Sequence, residues 1–328
     1  MLKVSAGFEV RVLILTNMFP TKTNPYWGIF VKEQIDSYKE CFPNAQISVL
    51  QLINGGLLRR YLLSSYRLLK RCISAKPQFI HVHFGLSFLP LFFIMPYVRY
   101  KKIKIIVTFH GSDILGNNRL SLLVSKLALI CADAVIGVSK QIFDRISNYN
   151  NNAHYLPCGV TSQFIHFVNR ANDKRTDTIV FPSSPQRVEK NFPKFKRIID
   201  RVECRIGKKL TIAIMESLSR EEVANLFTNS VCLLMTSDYE GSPQVVKEAI
   251  FAGLPVVSTK VGDVPYLIEN RNNCFISNNE QELAEFICLI LSSQTKTVEE
   301  GKSTKQYELT NNHICQQLHK VYKHLLSA

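Results

Sequence analysis

The sequence has no C-x-x-C pair and no cysteine–histidine cluster at zinc spacing, although it contains nine cysteines. Their absence disfavours a structural metal, and an odd number of scattered thiols fits a reducing compartment better than a disulfide framework. A long apolar run is also missing. The most apolar stretch, 84–98, is about fifteen residues long and is broken by Pro90 and Pro96, whereas a membrane span needs roughly 20. A buried helix or one at an interface is expected there instead. The start, MLKVSAGFEVRVLIL, has only a short apolar run that continues into a core strand, so no signal peptide is read. No repeat occurs at solenoid periods.

Acidic residues are scarce in one half. The chain has 328 residues and a net charge of +14. Its length suggests about two domains. Residues 1–160 carry 19 Lys/Arg against 7 Asp/Glu, and the remainder 21 against 19, so the excess is +12 in the first half and +2 in the second. A basic half expects an anionic partner. Nucleic acid is not expected, because no RNA-binding motif or C₂H₂ spacing occurs and the cations are not interleaved with aromatics as a stacking platform requires. Arg59, Arg60, Arg67, Lys70 and Arg71 recur beside leucines on one helical segment, and Arg99, Lys101, Lys102 and Lys104 follow the apolar run. Basic and apolar surface together suit an anionic bilayer, so a peripheral position on the cytoplasmic face of the cell membrane is expected.

Short β-branched runs alternate with helical patterns throughout: VRVLIL, ISVLQL, FIHVHF, KIKIIVTFH, ADAVIGVS and AHYLP in the first half. TIVFP, LTIAIM, VCLLMTS and PVVST form a second series. This is the βαβ pattern of parallel sheets covered on both faces. The expected fold is α/β, with two Rossmann-like, doubly wound parallel-sheet domains facing a central cleft. Domain one is read as 1–160, a polar linker as 161–178, and domain two as 179–304. A last helix, 305–328, presents Ile314, Leu318, Val321 and Leu325 on one face.

The stretch YEGSPQVVKEA, 239–249, follows the strand VCLLMTS. Ser242 followed by Pro243 is the order of an N-cap and a first helical position. The helix start would offer free N–H groups from Gln244 and Val245 and the positive end of its dipole, an anion site. Glu248 lies five residues beyond Pro243, ~7.5 Å along the axis, where a carboxylate could accept from a pair of sugar hydroxyls. Alternatively Glu240 caps locally and Glu248 is a solvated helix residue.

The spacing from Glu240 to Glu248, continued by KEAIFAGLPVVSTKVGDVPYLI, resembles the E-x7-E motif of retaining glycosyltransferase family four, which has the GT-B fold. Further landmarks of the family occur in order: LILTNMFPTKTNPYWGIFVKEQ with Gly28, HVHFG, TFHGSD, and FPSSPQRVEKNF with Arg187 and Lys190. The resemblance implies transfer of a sugar from a nucleotide-diphosphate donor, UDP- or GDP-linked, to a saccharide or lipid-linked saccharide acceptor, in surface polysaccharide or glycolipid synthesis. It implies retention of anomeric configuration and no metal or other cofactor, the nucleotide sugar being a substrate. Gly28 would let backbone approach the donor phosphate, Arg187 and Lys190 would neutralise the diphosphate, and His110 would touch sugar and phosphates. Glu240 would hold sugar hydroxyls, Glu248 the ribose, and Gly241, Ser242, Pro243, Gln244 and Val245 would line the donor. The final helix would pack back on domain one. The sequence departs from the family pattern at Ser184-Pro185-Gln186, where a glycine is usual, and at Cys158 and Thr161.

His81 and His83 are read as structural and as unable both to face a cleft; Asp113 is read as a cap on the following helix in preference to an acceptor-binding residue. A metal-dependent, single-sheet glycosyltransferase using Asp238 and Glu240 is the nearest rival. A GT-B epimerase or phosphorylase is also open, since fold does not fix chemistry.

Overall fold

The computed structural model describes residues 9–24, 27–52, 56–111, 113–171, 174–293 and 304–327, without the side chains of 57–59, 304 and 305. The expected lead-in MLKVSAGF, Pro25 and Tyr26 of the first loop, the side chain of Arg59, Ser112 of TFHGSD, residues 172–173 of the expected linker and most of 294–304 lie outside the described residues.

Two compact units divide at Pro157/Cys158 and again at His313/Ile314. The first holds a six-stranded parallel sheet in the order β2-β1-β3-β4-β5-β6. Its strands are β1 Arg11–Thr16, β2 Gln46–Gln51, β3 Phe79–His83, β4 Lys104–Phe109, β5 Ala134–Gly137 and β6 Ala153–Tyr155. The second holds a five-stranded parallel sheet in the order β11-β10-β9-β7-β8, from β7 Thr178–Phe181, β8 Thr211–Ile214, β9 Cys232–Met235, β10 Val256–Ser258 and β11 Phe275–Ile276. Two sheets, each with its own core, set aside the single-sheet rival.

Side-chain alternation explains why both faces of the second sheet are covered. Val180, Leu233, Met235 and Val256 enter one apolar cluster, while Ile179, Phe181, Cys232, Leu234 and Val257 enter the other. The helix Asn311–Ser327 contributes Ile314, Cys315, Leu318, Val321, Tyr322 and Leu325 to the core of the first unit, beside Val12, Ile14, Phe79 and Ile106. A separate short helix, Thr304–Glu308, precedes it, and the backbone between them bridges Val160 to Thr310.

The first half of the segment expected to be a linker is instead helix. Ser162–Arg170 is capped by the Thr161 hydroxyl, which accepts from Phe164 N at 3.1 Å, and Phe164 is fully buried in the second unit. Phe164, Ile165, Phe167 and Val168 form an apolar stripe that polar neighbours mask in the sequence. The second unit therefore starts at Cys158, well before residue 179.

The apolar run 84–98 breaks into three short helical pieces, Gly85–Phe88, Leu89–Phe93 and Met95–Tyr100, with prolines at the starts of the second and third. Among the described residues no helix is long and apolar enough to cross a membrane.

Candidate active site

In the second unit the chain passes from β7 to the edge strand β8 and returns on the other side of β7 as β9. Ligands of open α/β sheets bind at the carboxyl ends of the strands flanking such a switch. Arg187 and Lys190 follow β7, and Glu240 follows β9. The two loops are tied together by Asp238 N donating to Glu189 O at 2.9 Å, Thr236 Oγ1 to Lys190 O at 3.0 Å and Asn191 Nδ2 to Asp238 Oδ1 at 2.9 Å. Lys190, 8% exposed, donates from Nζ to Glu240 Oε1 at 2.5 Å. Ser237 Oγ donates to the same oxygen at 2.7 Å. Glu240 Oε2 has no hydrogen bond among the described residues. Arg187 is exposed and pairs through Nη2 and Nε with Glu189 Oε1 at 2.6 and 2.7 Å. Asp238 and Glu240 thus turn to different partners.

The helix Gln244–Phe251 takes Pro243 as its N-cap, one residue later than the Ser242 cap expected. Pro243 itself is extended, at φ −65 and ψ 120, so the helical backbone starts only at Gln244 and the cap position falls on the proline. Ser242 Oγ and Gln244 Oε1 are buried without hydrogen-bond partners among the described residues. Gln244 Nε2 donates to Gly159 O at 2.6 Å. The first-turn N–H groups at 244–246 have no acceptor within the helix, so the anion-binding character of its start persists.

Two features support this turn from below. Lys247 is fully buried and donates from Nζ to Cys158 O at 2.7 Å and Ser242 O at 3.3 Å. Burial lowers its pKa, against the attraction of Cys158, Asp263 and Glu248. Gly262, at φ +49, packs under the turn, and Asp263 N donates to Gly241 O at 2.8 Å.

Glu248 is not a solvated helix residue: its side chain is 2% exposed. Arg220 Nη2 donates to its Oε1 at 2.5 Å, and the guanidinium lies 4.9 Å over the Phe164 ring. Arg220 opens the helix Arg220–Asn229, directly behind a capping box formed by Ser219 and Glu222.

In the first unit the switch falls between β1 and β3. Gly28, the N-cap of helix Ile29–Cys41, has φ +69, and a Cβ there would lie 2.5 Å from the Met18 carbonyl carbon and oxygen. No other residue fits that approach of the loop after β1. His110 follows β4 and is half-buried, with the Phe30 and Phe84 rings at 5.0 and 4.4 Å and its Nε2 3.1 Å from His83 Nδ1. Burial, reinforced by His83, holds its pKa well below the ordinary imidazole range. Burial lowers His83 to about 3.

His81 and His83, two apart on one strand, lie on the same face rather than opposite faces, and their rings stack at 4.6 Å. His81 is bonded at 2.7 Å on both nitrogens, to Tyr322 Oη and Thr108 Oγ1. Asp113 does not cap a helix; Asn118 caps Arg119–Cys131. The buried Asp113 carboxylate instead accepts from Gly85 N at 3.0 Å, His110 N at 3.1 Å and Gly111 N at 2.8 Å, fixing the loop that carries His110.

The sequence reading did not single out Arg220, Ser237, Lys247 or Gly262 for the site. Ser237, three residues before Glu240, and Lys247, next to Glu248, carried a local signal: a polar group on an otherwise apolar strand end or helix face. Arg220 carried none, since its link to Glu248 spans 28 residues.

Residues 4–164 match the profile of Glycosyltransferase Family 4, and residues 196–307 that of Glycosyl transferases group 1. An uncharacterized glycosyltransferase of Methanocaldococcus jannaschii, MJ1178, is 24% identical over 270 residues, 75% of each chain. Among solved structures, the sucrose-phosphate synthase of Thermosynechococcus elongatus superposes with a TM-score of 0.72 at 15% identity, covering 97% of this chain and 99% of that one. Anabaena HepE, in complex with UDP and glucose, gives 0.71 at 14% identity, covering 95% and 99%. Matched in both halves by profiles of one kind, and sharing the fold of these structures, the chain belongs to glycosyltransferase family four and has the GT-B fold.

Proposed function

We propose that this glycosyltransferase is retaining and metal-independent, and moves a sugar from a UDP- or GDP-linked donor to a hydroxyl of a lipid-linked saccharide. The observation that carries the reading is the presentation of Glu240 and Glu248. Each has Oε1 held by a cation and Oε2 without a hydrogen bond among the described residues, with a helix start between them in sequence. Such carboxylates serve as hydrogen-bond acceptors for sugar and ribose hydroxyls. A structural relative in complex with UDP and glucose supports a nucleotide-sugar donor.

In the reaction, the bond between the sugar anomeric carbon and the diphosphate oxygen breaks and a bond to the acceptor oxygen forms. The acceptor proton passes to the departing diphosphate on the same face. Lys190 spends one N–H on Glu240, leaving two for phosphate oxygens, and the helix start at 244–246 adds positive potential where charge develops. Arg187, exposed on the same loop, exchanges Glu189 for phosphate.

A lipid-linked acceptor fits the basic half, which would lie on the inner face of the cell membrane. From Cys41 to Ser112 the sequence has no aspartate or glutamate and ten Lys/Arg. Leu62, Leu63, Tyr66, Phe92, Phe93 and Tyr100 are exposed in that stretch. Products of this class enter surface polysaccharides or glycolipids.

Screening UDP-, GDP- and ADP-sugars for thermal stabilisation, then for transfer in the presence of a chelator, tests the reading. Stabilisation by one donor and chelator-resistant transfer with the anomeric configuration kept are expected. No nucleotide-sugar binding, metal-dependent activity or an inverted product would each refute a named part of it.

A further inference from the structure

A cation at the start of a helix opposes the macrodipole, so an arginine at the first position of Arg220–Asn229 needs another reason to be there. Its surroundings supply one. The guanidinium lies on the Phe164 ring at 4.9 Å and gives Nη2 to Glu248 Oε1 at 2.5 Å. Phe164 is itself fully buried, so the stack fixes the plane of the fork. The Arg220 side chain is 25% exposed and Glu248 only 2%, so the carboxylate stands between a buried helix face and a cation that reaches the surface.

We infer that Arg220 is a positioning residue for nucleotide recognition: by pinning one oxygen of Glu248 it aims the other oxygen at a ribose hydroxyl. The inference rests on the proposed ribose role of Glu248. Without Arg220 the Glu248 carboxylate would be free to rotate about its last torsion, losing the fixed aim. With Arg220 in place, the ribose hydroxyl donates to an acceptor of fixed direction. Arg220 touches neither the sugar nor the reacting atoms in this arrangement.

The test measures affinities of the full chain for UDP, GDP and ADP by calorimetry, then compares the best of these with its 2′-deoxy and 3′-deoxy forms. A hydrogen bond to a charged acceptor makes the wild-type chain prefer the ribonucleotide over one deoxy form by roughly tenfold to a hundredfold. Glu248→Ala should abolish that preference. Arg220→Met should bring the preference close to one while weakening the deoxy form much less. Arg220→Lys, which keeps a charge but loses the planar fork, should fall between.

Equal weakening of ribo and deoxy forms in Arg220→Met, with the preference intact, would overturn the positioning role and leave a merely structural one. Should Arg220→Met fail to fold, a wild-type preference in Arg220→Lys overturns it instead. A preference that survives in Glu248→Ala, or is absent from the wild type, removes the ribose assignment itself. Those outcomes are distinct from the failure confined to Arg220.

Discussion

At Gly262 the restriction is twofold. The backbone is at φ +49, and a Cβ would lie 2.1 Å from Gly241 O and 2.7 Å from Glu240 O, both backbone atoms that cannot swing aside. Gly262→Ala must therefore shift the turn that carries Glu240. It is expected to cost about 1–3 kcal/mol in urea unfolding and to lower kcat/KM for nucleotide-sugar transfer. An alanine variant with wild-type stability and turnover would show that the turn tolerates displacement.

The histidines of the first unit give a second prediction at this scale. Burial holds His81, His83 and His110 below the usual range, His83 at about 3, whereas an unfolded histidine titrates near 6.5. Below that pH the unfolded chain binds protons that the folded chain refuses. Stability is therefore complete above about pH 6.5 and is lost on acidification, by up to about 1.4 kcal/mol per pH unit for each histidine. Asp113 acts oppositely: burial raises its pKa, so its contribution is greatest in acid and is lost as pH rises through the folded value. Thermal melts should stay level from pH 8 to 7 and fall from about 6.5 to 5, and His83→Gln should shallow that fall. An unchanged slope in the variant would mean that His83 takes no part in it.

Which residues were legible follows from distance along the chain. Glu240 and Glu248 sit within one turn and one helix, so their spacing carries meaning by itself. Lys190 was legible as a cation after a strand, but not as the partner of Glu240, because that contact crosses from β7 to β9. Arg220→Glu248 and His83→His110 likewise depend on which strands become neighbours, and sequence spacing does not state that.

At the scale of elements, every strand named in the sequence reading lies in one of the two sheets, because parallel strands buried on both faces leave dense β-branched runs. Helices with short or interrupted stripes were harder to read. In 161–178, four apolar residues among polar ones looked like a linker, yet Phe164 is a fully buried core side chain. A linker would tolerate its loss. Phe164→Ala is instead expected to cost about 3–5 kcal/mol in denaturant unfolding of the second unit, and Thr161→Ala, which removes the cap, about 1 kcal/mol. A cost under half a kilocalorie for Phe164→Ala would restore the linker reading. The run 84–98 shows the converse: its hydrophobicity was plain, but its two prolines each restart a helix, so one segment became three short ones.

At the scale of the whole chain, charge is distributed by unit rather than by site. The absence of carboxylates from Cys41 to Ser112 has no evident packing cause, since Arg67, Lys70 and Arg71 on helix Leu57–Ala75 are solvent-facing or partly so. Exposed Tyr66 on that helix and Phe92 on Leu89–Phe93 add apolar surface to the same acid-free stretch. Cations near an anionic leaflet contribute about 1 kcal/mol each, and their reach shrinks as the Debye length falls from about 10 Å at 0.1 M salt to 3 Å at 1 M. The proposed bilayer contact therefore predicts sedimentation with phosphatidylglycerol-rich vesicles at low salt, release at high salt, and no sedimentation with phosphatidylcholine alone. Tyr66→Asp combined with Phe92→Asp should abolish sedimentation while leaving the melting temperature and nucleotide affinity unchanged, because both side chains are exposed, at 66% and 47%. A protein that stays in the supernatant with anionic vesicles at low salt would leave the acid-free stretch without a lipid partner. Binding unaffected by the two aspartates would place the contact on another face.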